Sequence, residues 1–420
     1  MLAMAGVAVA APTYIHAGRL IATPGKAVRG ASTIIVDGDR IVSVQDGHIA
    51  PADGASLIDL KDRTVLPGLI DSHVHLASDR GGEAGLLSFV REEPQMNSLE
   101  AQMNGMKTLR AGFTTVRNLG DDGATLALRE AIKRGWVQGP RIVDAASSIS
   151  TTGGHMDGRG SLNDDLVAHL PSPENLCDGI DSCRKVVRRQ IDRGADVIKF
   201  ATTGGVNSGT GLATRMLESE ARALVETAHA YGRKVAVHAH GADGIKIALR
   251  AGADSIEHGT VMDDEILRLM KKQGTYYVPT LSTVNGYLER LAANPNAYAP
   301  DVKKQIDWRI GITGQSLLKA VPGGVKIAFG TDAGVSKHGR NADEFELMVK
   351  YGMTPVEAIK AATVNAADLL GLAAEIGTIE GGKSADIIAV AGDPLTDVTT
   401  LKRVTFVMAR GEVVTPAVTR

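Results

Sequence analysis

Cysteine is scarce: the chain of 420 residues holds two, Cys177 and Cys183. Two cysteines cannot staple a chain of this length, so the fold must rest on a hydrophobic core. If both lie on one helix, their spacing places the thiols on different faces and argues against a mutual disulfide. Long apolar runs are missing too. None approaches the roughly 18–20 residues of a membrane span. Neither sign of charge dominates. The net charge of −2 gives no electrostatic reason to bind nucleic acid or an anionic membrane. There is no low-complexity segment, and 44% hydrophobic with 22% charged residues excludes disorder for most of the chain. Residues 1–12 are almost all small or apolar. They resemble the later part of a secretory signal without its basic start, so they read as a truncated signal or a flexible beginning. Both cytoplasm and periplasm stay open as compartments.

What is present is a β-rich start, an alternating middle and a β-rich end. At about 150 residues per domain the length suggests two to three units, but one α/β barrel of about 250 residues plus a small domain fits as well. The runs at 33–36 and 40–44 flank Asp37-Gly38-Asp39, a hairpin signal. Strand-like runs recur at 385–390, 404–408 and 410–414. Together they predict one small β domain, 13–64 with 381–414, built from both termini. Between them lie eight short apolar runs, at 65–70, 113–118, 141–145, 196–200, 234–238, 255–258, 276–279 and 326–330. Helix-like stretches such as 98–111, 218–231 and 242–251 separate them, and several end in glycine, the usual residue after a helix. Eight βα units over 65–380 predict an α/β fold, a (β/α)8 TIM barrel, in preference to a doubly wound sheet.

A barrel of this kind places its chemistry at the carboxyl ends of the strands. The first run leads into Asp71-Ser72-His73-Val74-His75, the fourth contains Lys199, the fifth ends His238-Ala239-His240, the sixth His258, and the eighth Thr331-Asp332. Strand alternation puts His73 and His75 on one face, a half-site for zinc or a similar metal. An isolated pair of this kind is usually structural, but beside His238, His258 and Asp332 the metal reading prevails. Asp332 alone reads as a helix cap; at a histidine-rich mouth it can bind metal and accept a proton from water. Lys199 is out of place as a cation among metal ligands. Buried and neutral, it can add carbon dioxide to become a bridging carbamate; equally it can pair with Asp196 or Asp332. His238 and His240 compete for one ligand position. His238, first after the apolar run, is chosen as ligand, with His240 behind it or against substrate.

The set His73-x-His75, Lys199, His238, His258 and Asp332 resembles the binuclear amidohydrolase superfamily. Pro67-Gly68-Leu69-Ile70-Asp71-Ser72-His73-Val74-His75 is similar to its first-strand motif, and Gly381-Gly382-Lys383-Ser384-Ala385-Asp386-Ile387 to its return into the β-sandwich. The resemblance covers about residues 13–414. It implies a barrel with a β-sandwich from both termini and two divalent metals, zinc first among them. It also implies a carboxylated Lys199 bridging them, Asp332 as ligand and base, and a homo-oligomer. Thr114-Thr115-Val116-Arg117-Asn118-Leu119-Gly120, Thr152-Gly153-Gly154-His155, Thr203-Gly204-Gly205-Val206 and Val237-His238-Ala239-His240-Gly241 further resemble metal-dependent carboxypeptidases and Xaa-Pro dipeptidase-like enzymes. Ochratoxin-degrading amidohydrolases share the pattern.

The chemistry implied is hydrolysis of an amide to a C-terminal amino acid, on dipeptides or N-acyl amino acids including ochratoxin-like N-acyl-phenylalanine. The partner is then a small-molecule amide. His155, in a glycine-rich loop, is a candidate catalytic donor to the carbonyl oxygen. Arg215 and His338, with His240, are candidate substrate contacts. Arg117 reads as structural. Loops at 76–97, with Leu86, Leu87 and Phe89, and at 281–308 are expected to cover the site. Prolidase-like relatives often carry Tyr just before the helix at Glu218, where this chain has Met216; that favours a roomier apolar pocket. Two other readings remain: a cyclic-amide hydrolase or deaminase, against which Lys199 argues, and a non-catalytic scaffold, which predicts missing ligands where none is missing.

Overall fold

The structure, a computed structural model, describes residues 11–80, 85, 87, 88, 91–159, 162–170, 173–206 and 211–414. The expectations for residues 1–10, Leu86 and Phe89 lie outside them.

Alternating apolar residues start the first sheet. In β1 (Thr13–Leu20) Ile15, Ala17 and Leu20 are buried, and β2 (Ser32–Asp37) pairs antiparallel with it, Ile15 opposite Ile34. β3 (Arg40–Asp46) completes the expected hairpin. The long β4 (Ser56–Pro67) lies parallel to β1.

Eight parallel strands follow: β5 (Leu69–Val74), β6 (Phe113–Asn118), β7 (Arg141–Asp144), β8 (Val197–Ala201), β9 (Lys234–Ala239), β10 (Ser255–His258), β11 (Tyr276–Val278) and β12 (Lys326–Ile327). Their ladders form two arcs, β5-β6-β7 and β8-β9-β10-β11-β12. Backbone hydrogen bonds cross both seams. At one, Asp196 N donates to Asp144 O (2.7 Å) and Ile149 N to Lys199 O (2.8 Å); at the other, Ser72 N donates to Phe329 O (2.9 Å) and Asp332 N to His73 O (2.7 Å). Helices such as Gln95–Arg110, Glu218–Ala230 and Ala242–Ala251 fill the intervals. The last ends at Gly252, whose φ of 97° belongs to the left-handed region that glycine enters without a Cβ clash. The chain then returns to the first sheet through β13 (Ile387–Val390), β14 (Val404–Ala409) and β15 (Glu412–Val414), giving the order β15-β14-β13-β4-β1-β2-β3. Each part has its own apolar cluster. The first sheet packs Ile15, Ile34, Val65, Ile387 and Phe406; the parallel strands and helices pack, among others, Phe113, Phe329 and Phe345.

Three expectations need correction. The run at 65–70 is divided: Val65, Leu66 and Pro67 belong to β4, where Leu66 faces Ile388 of β13, and only Leu69 onward joins the parallel strands. Gly68 makes the transfer, donating its N–H to Asp386 O (2.8 Å). A Cβ there would lie 2.2 Å from Thr114 Oγ1. The eighth strand stops at Ile327, because Phe329 N donates to Ala361 O and leaves the ladder. The cysteines are joined in a disulfide, contrary to expectation. They do not share a helix: Cys177 precedes helix Ile180–Asp192, Cys183 lies in it, and their Cα atoms are 4.7 Å apart.

Gly68 couples the two parts where the chain has no room for a side chain. Gly68→Ala should lower stability by about 1–3 kcal/mol through overpacking against Thr114, read from the urea midpoint. An unchanged midpoint would mean that Thr114 moves aside freely.

Candidate metal centre

Each strand of the second part ends where apolar residues give way to polar ones, and these ends meet on one rim. There His73, His75, Lys199, His238, His240, His258 and Asp332 line a single cavity of about 170 Å³. His155, Met156, Tyr287 and Arg309 are among the other residues of its walls. The metal-capable residues fall into two groups, His73, His75 and Asp332, and His238, His240 and His258; within each the ligand atoms lie within 4.8 Å of one another.

In the first group Asp332 Oδ1 is 3.4 Å from Nε2 of both His73 and His75. The far nitrogens are anchored: His73 Nδ1 by Glu257 Oε2 at 2.8 Å, His75 Nδ1 by Gly120 O at 3.0 Å. Acceptors at Nδ1 hold the proton there and leave Nε2 as the lone-pair nitrogen, the orientation a metal requires. In the second group His258 Nδ1 meets Thr280 Oγ1 and His240 Nδ1 meets Thr260 Oγ1, each at 2.7 Å. His238 is turned the other way, with Nε2 on Gly204 O at 3.1 Å. Its Nδ1 is therefore the nitrogen free of that proton.

Burial sets the charge states. It holds the imidazoles of His73, His238, His240 and His258 well below their usual range, and those of His75 and His155 at about 4 and about 3. Neutral imidazole is the form that binds metal. Burial also lowers Lys199, to about 8, against the opposing pull of Glu257 and Asp332. Lys199 Nζ stands 3.5 Å from His73 Nε2. Burial raises Asp332 to about 7. Neutral imidazoles with one carboxylate suit zinc and similar divalent ions.

Buried hydrogen bonds hold the rim. Glu257 accepts from Arg117 Nη2 (2.8 Å) and from Ser255 Oγ (2.5 Å) while facing His73. Arg117 also donates to Ser72 O (2.5 Å), so it is a pairing residue inside the barrel. Asp71 accepts from Thr331 Oγ1 (2.6 Å) and Asn341 Nδ2 (2.8 Å), tying β5 to the residue before Asp332. Three residues at or beyond strand ends, His258, Thr280 and Asp332, have positive φ (68°, 47° and 56°). Such backbone persists where packing over-determines it, and it clusters at functional sites.

The expected substrate contacts divide. His155 packs at a tilt against His238 with ring centroids 4.2 Å apart and lines the cavity. His240 lines the cavity and is also one of the metal-capable trio. His338 has its Nε2 on His75 O at 3.0 Å and its Nδ1 facing Thr108 Oγ1, so the ring braces a strand end, and it is not among the described residues that line the cavity. Arg215 is exposed and is not among the described residues that line the cavity; its backbone N donates to Thr202 O, and Thr151 Oγ1 donates to its carbonyl. Met216 is buried in the apolar cluster and does not line the cavity. The 281–308 segment forms helix Thr283–Ala293 and most of helix Pro300–Gly311, which bring Tyr287 and Arg309 to the mouth. Leu87 is exposed. Sequence reasoning missed Glu257 and Arg309. Glu257 had a signal, an acid directly before His258 in an apolar strand. Arg309 had none, because a helix and not a strand end delivers it.

Residues 64–414 match the amidohydrolase family model. The chain belongs to the amidohydrolase family. It is 32% identical over 421 residues to ochratoxinase from Aspergillus niger, covering 92% of this chain and 82% of that one. Among solved structures, a Xaa-Pro dipeptidase with methionine bound in its active site is 40% identical. It has a TM-score of 0.90, with 96% of this chain and 100% of that one covered. A prolidase complexed with N-methylphosphonate-L-proline is 30% identical, with a TM-score of 0.86 and coverage of 96% and 99%. The fold is thus that of the amidohydrolases, a TIM barrel with a β-sandwich domain, and the protein is a metal-dependent amidohydrolase.

Because Glu257 orients His73, Glu257→Gln in this amidohydrolase should weaken metal retention about 10–100-fold. Metal content against a graded chelator would measure it, and unchanged retention would remove Glu257 from the support of the site.

Proposed function

We propose that this amidohydrolase is a two-metal hydrolase of the amide bond to a C-terminal amino acid, in dipeptides or N-acyl amino acids, N-acyl-phenylalanine included. One observation carries the proposal: two metal-capable groups and a buried lysine face the same enclosed cavity. The relatives named above, an ochratoxinase and Xaa-Pro dipeptidases, support the bond type. In this reading His73, His75 and Asp332 hold one ion and His238 and His258 the other, most simply zinc, with Lys199 as a carbamate between them. Every cavity residue falls within 65–380. In this reading those residues, apart from 65–67, which complete β4, are the catalytic domain, 13–67 with 381–414 are a supporting β domain, and the enzyme works as a homo-oligomer.

When bound, the two ions supply a polarised carbonyl and an acidified attacking water. Asp332 takes up the proton of the attacking water and delivers it to the departing amine nitrogen. Its carboxylate is placed for this by the histidines on either side and by the positive φ that turns it inward. His155, packed on His238 at the cavity wall, hydrogen-bonds the carbonyl oxygen. The buried walls limit competing water.

The test is metal content together with hydrolysis of a dipeptide and N-acyl amino acid panel on the same sample. About two metals per chain are expected. Asp332→Asn should lower kcat by on the order of 10²–10⁴, and Lys199→Ala should lose both metal and activity. One metal per chain with no amide cleavage would overturn the proposal and favour a deaminase.

A further inference from the structure

Arg309 is the one arginine of the cavity wall, it is 3% exposed, and it makes no ion pair among the described residues. Its guanidinium donates to Thr313 Oγ1 (2.8 Å) and faces Thr280 O (3.5 Å), two neutral groups. A buried, permanently charged guanidinium without a carboxylate is costly, and the rest of this protein avoids it: the equally buried Arg117 has Glu257. Arg309 also sits close to the metal-capable trio. Thr280 presents its hydroxyl to His258 Nδ1 and its carbonyl to Arg309. Arg309 and His240 line the same cavity. The carboxylate that shares the cavity, Asp332, makes no ion pair with Arg309 and is held instead between His73 and His75, so the guanidinium is open to an anion entering from the cavity.

We propose that Arg309, with His240 beside it, is the specificity-determining site for the substrate's free α-carboxylate. This rests on the amide-hydrolase reading and adds a polarity to it. The amino-acid half enters the flank formed by helix Pro300–Gly311, with its carboxylate on Arg309. The scissile carbonyl then falls between the two metal-capable groups. The acyl half leaves on the opposite flank, where His75 and Met156 are also walls of a second chamber of about 640 Å³. That chamber is larger than the catalytic cavity, so the acyl group can vary while the carboxylate cannot.

The experiment compares N-acetyl-L-phenylalanine with N-acetyl-phenethylamine, which has the same scissile bond and no carboxylate. In parallel, calorimetry follows binding of L-phenylalanine and of phenethylamine to the metal-loaded protein. Wild type should prefer the acid in kcat/KM by on the order of 10²-fold. Arg309→Met should remove that preference through a rise in KM for the acid far larger than any change on the amine analogue, and should weaken L-phenylalanine binding more than phenethylamine binding. Arg309→Lys, which keeps a point charge but not the fork, should give an intermediate loss on the acid alone, and decides the matter if the Met variant does not fold. Equal loss on both compounds, or no preference in wild type, overturns the assignment. Cleavage of neither compound, with L-phenylalanine still bound through Arg309, would instead refute the amide-hydrolase reading and leave the carboxylate site standing.

Discussion

The site depends on one buried carboxylate. Glu257 lies inside the barrel with no exposed surface, between Arg117 on one side and His73 on the other. Removing a carboxylate from water is strongly unfavourable unless its lone pairs are filled. Here Arg117, Ser255 and His73 fill them. The consequence runs outward. Once Nδ1 of His73 is committed to Glu257, its Nε2 can only face Lys199 and Asp332, and the first metal-capable group is set around it. Arg117 is committed as well, which leaves Arg309 as the arginine that faces the cavity.

The same logic explains why so many titratable groups share one enclosed space. Six charged imidazoles could not coexist there, since each depresses its neighbours and burial depresses all of them. Neutral, they cost much less to bury, provided one nitrogen of each finds a partner, and the strand ends supply those partners. Thr260, Thr280, Gly120 O and Gly204 O each lie on the strand or loop next to the ring they anchor. The fold does not merely carry the ligands; adjacent βα units brace one another's histidines.

What could be read from the residues and what could not divides along physical lines. Strand alternation placed His73, His75, His238, His258 and Asp332 at a common rim because a strand end is a local property. Side chains delivered by helices or by long-range hydrogen bonds left no such trace. Arg309 comes from a helix that sequence pattern marks only as cover. His338 looked like a mouth residue, yet the carbonyl of His75 captures its ring. The first barrel strand was blurred for a different reason: Val65 to Leu69 is one apolar run serving two sheets, and only pairing with β13 divides it. The cysteine expectation failed because it assumed one helix, whereas the chain turns into the helix between Cys177 and Cys183.

The division at Gly68 bears on catalysis through geometry. β4 and β5 are nearly continuous, so the small sheet and the first ligand pair are two ends of a single stretch, Ser56 to His75. Asp71 lies between them and is hydrogen-bonded to His73 N, Thr331 and Asn341. A shift of the small sheet would therefore be carried through Gly68 to Asp71, and from there to His73 and Asp332 together, since both strand ends hang on the same carboxylate. The terminal sheet contributes no side chain to the cavity. Its contribution is to hold still the strand from which the first half of the metal centre projects.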